Sequence, residues 1–92
     1  MRLRWTEMAG RDLTQICDYI EERDSAATAR RVALAIVERL ANLTEFPESG
    51  RIGRKPGTRE LIFAGLPYFA VYMLREETIE VLRILHGARD WR

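Results

Sequence analysis

Apolar residues recur at helical steps through the first half of the chain and alternate with polar ones through the second. Leu13, Ile16, Cys17 and Ile20 follow Ala9 at three- and four-residue spacing, which predicts one helix running to about Arg23. Thr6 is placed to cap it, and Glu7 in the first turn suits the positive end of its dipole. Asp24 and Ser25 interrupt the stripe. Ser25 can cap a second helix in which Ala29, Val32, Ala33, Ile36, Val37, Leu40 and Leu43 share a face, and so short a break implies an antiparallel hairpin. Phe46 and Pro47 end this helix, because proline cannot continue the ladder and biases its predecessor toward extended backbone. Glu48 to Gly57 reads as a basic loop rich in turn residues. Three strands are then predicted: about Thr58 to Phe63, Tyr68 to Arg75 and Thr78 to His86, joined by hairpin-length linkers. Met1 to Trp5 alternates like a short strand. The order strand, helix, helix, strand, strand, strand predicts an α+β fold, with the N-terminal strand and helical hairpin packed on a small antiparallel sheet whose other face stays open.

At 92 residues the chain suits a single domain spanning 1–92, with no internal repeat or linker. Hydrophobic residues at 47% and charged residues at 32% indicate a soluble globular protein. Met1 to Leu13 holds no apolar block, so neither a signal peptide nor a membrane helix is expected and the cytoplasm is the expected location. Cys17 is the only cysteine, which excludes an internal disulfide and a cysteine metal cluster; its place in the helical stripe predicts a small core residue. The net charge of +1 argues against indiscriminate adhesion to nucleic acid, yet the halves differ in sign. Residues 1–50 carry 7 basic and 9 acidic side chains and residues 51–92 carry 8 and 5, so the second half suits an acidic partner. Arginine makes up 14 of the 15 basic residues, a side chain fitted to bidentate carboxylate contacts.

Candidate chemistry is sparse. His86 is the only histidine, which excludes a histidine metal site; it sits where the last strand gives way to Gly87, Arg89 and Trp91, open to an acid/base role or to a structural hydrogen bond. Gly50, Gly53 and Gly57 lack the lysine and hydroxyl of a phosphate loop. The pairs Glu21 with Glu22 and Glu76 with Glu77 read as solvated charge, and Ser25 and Ser49 as cap and turn. No catalytic residue, metal or cofactor is therefore expected. Arg59 and Leu61 share one strand face, with Glu60 and Ile62 on the other. Arg59 and Arg83, set among apolar strand residues, must reach solvent, a partner, or a local carboxylate such as Glu60 or Glu80.

Pro47, Gly50 and Arg51, Arg59 and Leu61, Pro67, Tyr68 and Tyr72, and the ending His86, Gly87, Ala88, Arg89, Asp90, Trp91 together resemble the ParE branch of the RelE/ParE toxins over nearly the whole chain. The resemblance implies a toxin of a type II toxin-antitoxin system that inhibits DNA gyrase. It also implies a ParD-like antitoxin, with a ribbon-helix-helix part and a wrapping tail, and no sequence-specific DNA binding by the toxin alone. RelE-like relatives instead cleave messenger RNA on the ribosome. They carry an arginine after the middle-strand tyrosine, lysines on the preceding strand, an arginine after the final glycine and a later tyrosine. Here Phe69 stands for the first arginine and Glu60 and Ile62 for the lysines; only Arg89 matches, and Arg92 is reached before such a tyrosine. The resemblance therefore implies a toxin that is not an enzyme, with Arg83, His86, Arg89, Trp91 and Arg92 facing the target and Arg51, Arg54, Arg59 and Arg83 meeting antitoxin carboxylates.

Overall fold

The computed structural model describes residues 1–87. Strand β1 (Arg2–Trp5) leads into helix α1 (Glu7–Arg23), and the Thr6 hydroxyl accepts the Ala9 N–H as the sequence predicts. Helix α2 (Ala26–Ala41) begins at Ser25, whose hydroxyl accepts the Thr28 N–H. Capping of this kind contributes about 1 kcal/mol per helix. Helix α2 ends ahead of Phe46 and Pro47, passing into a 3-10 turn at Asn42–Thr44. Strands β2 (Arg51–Ile52), β3 (Thr58–Ile62), β4 (Tyr68–Arg75) and β5 (Thr78–His86) follow.

These strands form one sheet in the order β1-β5-β4-β3-β2. Two features correct the sequence reading. Strand β1 joins the sheet itself and runs parallel to β5, Trp5 pairing with Val81, so the sheet is mixed. Alternation in a four-residue strand specifies which face is buried but not which strand it will meet. Strand β2 lies within the stretch read as loop, and two residues are too few to show a period.

One side of the sheet packs on the hairpin. Ile36, Leu40 and Leu43 meet Leu61, Ala70, Tyr72, Ile79, Val81 and Ile84, all at most 2% exposed. The opposite side is not open: Phe69, Val71 and Leu85 are also at most 2% exposed, with Leu82 packed against them and the Arg54 guanidinium 5.6 Å from the Phe69 ring centroid. A bulge sets this pattern. Val71 pairs with Arg83 while Tyr72 pairs with Val81, leaving Leu82 unopposed and turning Ile84 back toward the helices. Cys17 is half-buried rather than a core residue. Burial, then the nearby Asp18 and Glu21, raises its thiol above the ordinary 9.0, which keeps it protonated.

Candidate functional site

The predicted site residues fall into three groups. The first lies where β2 and β3 meet the segment after α2. Tyr72 is fully buried on β4, its hydroxyl donating to the Pro47 carbonyl at 2.8 Å and accepting the Gly50 N–H at 2.9 Å. Arg59 donates from the same side to the carbonyls of Glu48 and Gly50, at 3.2 and 2.8 Å. A Cβ on Gly50 would stand 2.7 Å from the Tyr72 ring and hydroxyl and 2.9 Å from the Glu60 carbonyl, so only glycine fits. Pro47, Gly50, Arg59 and Tyr72, separate in sequence, thus form one lock that fixes the segment preceding β2.

The second group lies on the face away from the helices. Glu60, 1% exposed, accepts through Oε1 from Arg51 Nη2 at 2.8 Å and Arg51 Nε at 3.2 Å, and through Oε2 from the Arg54 backbone N–H at 3.2 Å, with Arg54 Nε 3.5 Å from that same Oε2. Arg51 and Arg54 are therefore engaged by a carboxylate of the chain, and Arg59 by loop carbonyls. Burial alone would raise the Glu60 pKa. The Arg51 hydrogen bonds, the Arg54 N–H and the two guanidinium charges outweigh it and hold the carboxyl below its ordinary 4.5. A depressed folded value stabilises the protein above the unfolded pKa, and that stability is lost as pH falls through the folded one. Thermal melts of wild type and Glu60→Gln should accordingly converge below pH ~4.5, wild type being the more stable at neutral pH. Melts separated by the same interval from pH ~7 to ~3 would show that Glu60 contributes no such linkage.

Ile62 pairs directly with Phe69, and Glu60 with Val71, on this same face. The three positions at which the nuclease pattern calls for cations thus come together. They hold a buried carboxylate, a half-exposed isoleucine and a buried phenyl ring.

The third group is at the end of β5. Arg83 forms a bidentate pair with Asp12 of α1, 2.7 Å from Nε and 3.1 Å from Nη2, and the same carboxylate accepts the Ile84 N–H at 2.9 Å. The Asp12 hydrogen bonds raise the Arg83 pKa above its ordinary value against the effect of burial. This partner is neither of the glutamates suggested by sequence: Glu80 pairs with Arg4, and Glu60 with Arg51 and Arg54. Asp12 caps β5 where β1 has stopped, at Trp5, and the Thr6 hydroxyl does likewise for the Leu82 carbonyl at 2.9 Å. His86 is exposed and meets Tyr68 edge-on, ring centroids 5.7 Å apart at 86°. Gly87 follows, its N–H donating to the Pro67 carbonyl. Arg89, Trp91 and Arg92 lie outside the described residues.

A family model described as "ParE toxin of type II toxin-antitoxin system, parDE" matches residues 3–91. The chain belongs to the ParE toxin family. Among relatives, protein Y4kP of Sinorhizobium fredii is 42% identical over 90 residues, covering 98% of this chain and 92% of that protein. Toxin RelE2 of Caulobacter vibrioides is 38% identical over 85 residues, covering 92% and 93%. A chain in the structure of the chromosomal ParDE system from P. aeruginosa superposes with a TM-score of 0.87 at 30% identity, covering 94% of this chain and 95% of that one. As a ParE-family toxin, the chain gathers most of the described residues that carry its family likeness in two places: the Tyr72 lock and the Pro67, Tyr68, His86 and Gly87 junction. Asp12, the anchor of that junction, carried no signal in the sequence, because its partner is 71 residues away. Among the described residues no cluster of histidine, cysteine or carboxylates could hold a metal, and no helix is long and apolar enough to cross a membrane.

Proposed function

We propose that this ParE-family toxin arrests growth by binding DNA gyrase, without chemistry of its own, and that a ParD-like antitoxin neutralises it. The observation that carries this reading is the Glu60, Ile62 and Phe69 face. Cleavage of a phosphodiester requires a base for the ribose hydroxyl and cations for the scissile phosphate. The two apolar side chains supply neither, and the one carboxylate, Glu60, is buried, engaged by Arg51 and Arg54 and made a weaker base by them, which also leaves those guanidinium groups committed to it. The high overlap with a chain of a ParDE system supports the same branch. Arginine richness in the second half suits an acidic antitoxin tail. Because exposed ion pairs contribute only about 0.2 to 1 kcal/mol each, apolar burial would supply most of that affinity and charge the association rate.

A ribosome-dependent nuclease is the second reading, favoured by one observation: His86 beside Tyr68 offers an acid/base pair. Induction without antitoxin separates the two. The gyrase reading predicts arrested replication and DNA damage signalling while messenger RNA stays intact. Codon-positioned transcript cleavage that disappears in His86→Ala or Arg89→Ala would overturn it.

A further inference from the structure

Helix α2 turns Ala29, Ile36 and Leu40 into the core, and its far side lies at the surface. That far side is not wholly polar. Leu34 is 53% exposed, with Ala27 and Ala41 exposed at seven-residue steps on either side of it. Val37, expected on the core stripe from its spacing, is 42% exposed and stands beside Leu34 instead. Residues three, four and seven apart share a helix face, so these four side chains form one apolar stripe along nearly the whole of α2. A lone exposed leucine needs no partner, whereas a continuous stripe marks a surface that another element covers.

The charges flanking the stripe select what covers it. Arg30 and Arg31 lie on the N-terminal side of Leu34 and Glu38 on the C-terminal side; all three are exposed, and none has an ion pair or side-chain hydrogen bond among the described residues. An acidic segment laid along the stripe would gain the arginines and meet Glu38, and a basic one would do the reverse. Turning the stripe end for end reproduces it: about a two-fold axis at Leu34, that residue meets its own copy, Ala27 meets Ala41, and Arg30 and Arg31 meet Glu38 at both ends. A parallel pair would instead set arginine against arginine and glutamate against glutamate. The alanines at the ends of the stripe let two helix backbones approach closely around the central leucines. We propose that α2 is a self-association face on which two copies of the toxin pair antiparallel across Leu34. This pairing does not depend on which target the toxin binds.

The test is sedimentation of the full-length toxin, free of antitoxin, over a range of concentrations, for wild type, Leu34→Glu, Arg31→Glu, Glu38→Arg and the double charge swap. One helix face buries less than the ~1,200 Å² of a standard interface, so wild type should pass from monomer to dimer between about 1 and 100 µM. Leu34→Glu places two like charges on the axis and should weaken dimerisation roughly ten-fold or more; each single swap should weaken it about five-fold, and Arg31→Glu with Glu38→Arg should return it to within about two-fold of wild type. The three positions are exposed, so thermal melts of the monomers should match. If Leu34→Glu fails to fold, the charge swaps decide alone. A wild type still monomeric at the highest of these concentrations, a dimer indifferent to Leu34→Glu, or a double swap no better than the single ones would overturn the proposal. A monomeric wild type whose antitoxin affinity falls in Leu34→Glu would overturn it too, and would give the stripe to the antitoxin.

Discussion

Tyr72→Phe is expected to lower stability by about 2–4 kcal/mol, although it removes a single oxygen atom. The ring keeps its packing, so no cavity forms. The loss comes from the two main-chain groups that the hydroxyl satisfies, the Gly50 N–H and the Pro47 carbonyl, each of which costs about 1–3 kcal/mol when left buried without a partner. For a domain of this size such a change lowers Tm by roughly 10 °C or more. Denaturant titration should show the midpoint shifting at unchanged slope, since the surface exposed on unfolding is the same. A loss below ~0.5 kcal/mol would mean that water replaces the hydroxyl and that the lock is not built as described.

Asp12→Ala should cost about 2–3 kcal/mol, slightly less than the value for breaking a fully buried pair, because the two side chains keep 19% and 11% exposure. Two effects combine. The Arg83 guanidinium loses its bidentate carboxylate, and the Ile84 N–H at the uncovered edge of β5 loses its acceptor. Asp12→Asn keeps an acceptor of the same shape and should cost less than half as much. Equal losses in both variants would assign the effect wholly to charge, and no loss in either would show that α1 does not anchor the end of β5. Hydrogen exchange adds a local readout, since Ile84 should lose protection before the centre of β4 does.

These two contacts mark where sequence reading stopped. Both helices, their Thr6 and Ser25 caps and strands β3 to β5 were legible because each depends on residues within a few positions of one another. The Asp12 to Arg83 pair joins the first helix to the last strand, and no local pattern encodes it. The parallel placement of β1 is likewise a property of two distant strands. Strand β2 is too short to show alternation, and the bulge at Leu82 reverses the side-chain phase in mid-strand, so Arg83 could not be assigned a partner by counting. The face expected to be open instead carries the buried side chains of Phe69, Val71 and Leu85, with Arg51 and Arg54 drawn to Glu60 beside them. At the site, the resemblance named Pro47, Gly50, Arg59 and Tyr72 among other residues without grouping them, and the structure joins these four in one shared set of hydrogen bonds.

On the proposed function, a face carrying Glu60, Ile62 and Phe69 belongs to a toxin acting by binding gyrase rather than by cutting RNA. Purified toxin added to gyrase, ATP and relaxed plasmid, and in parallel to a purified translation reaction carrying end-labelled messenger RNA, tests this directly. Loss of supercoiling, reversed by cognate antitoxin, with the messenger intact, is the expected result; undiminished supercoiling together with codon-positioned cleavage of the messenger would contradict the gyrase reading.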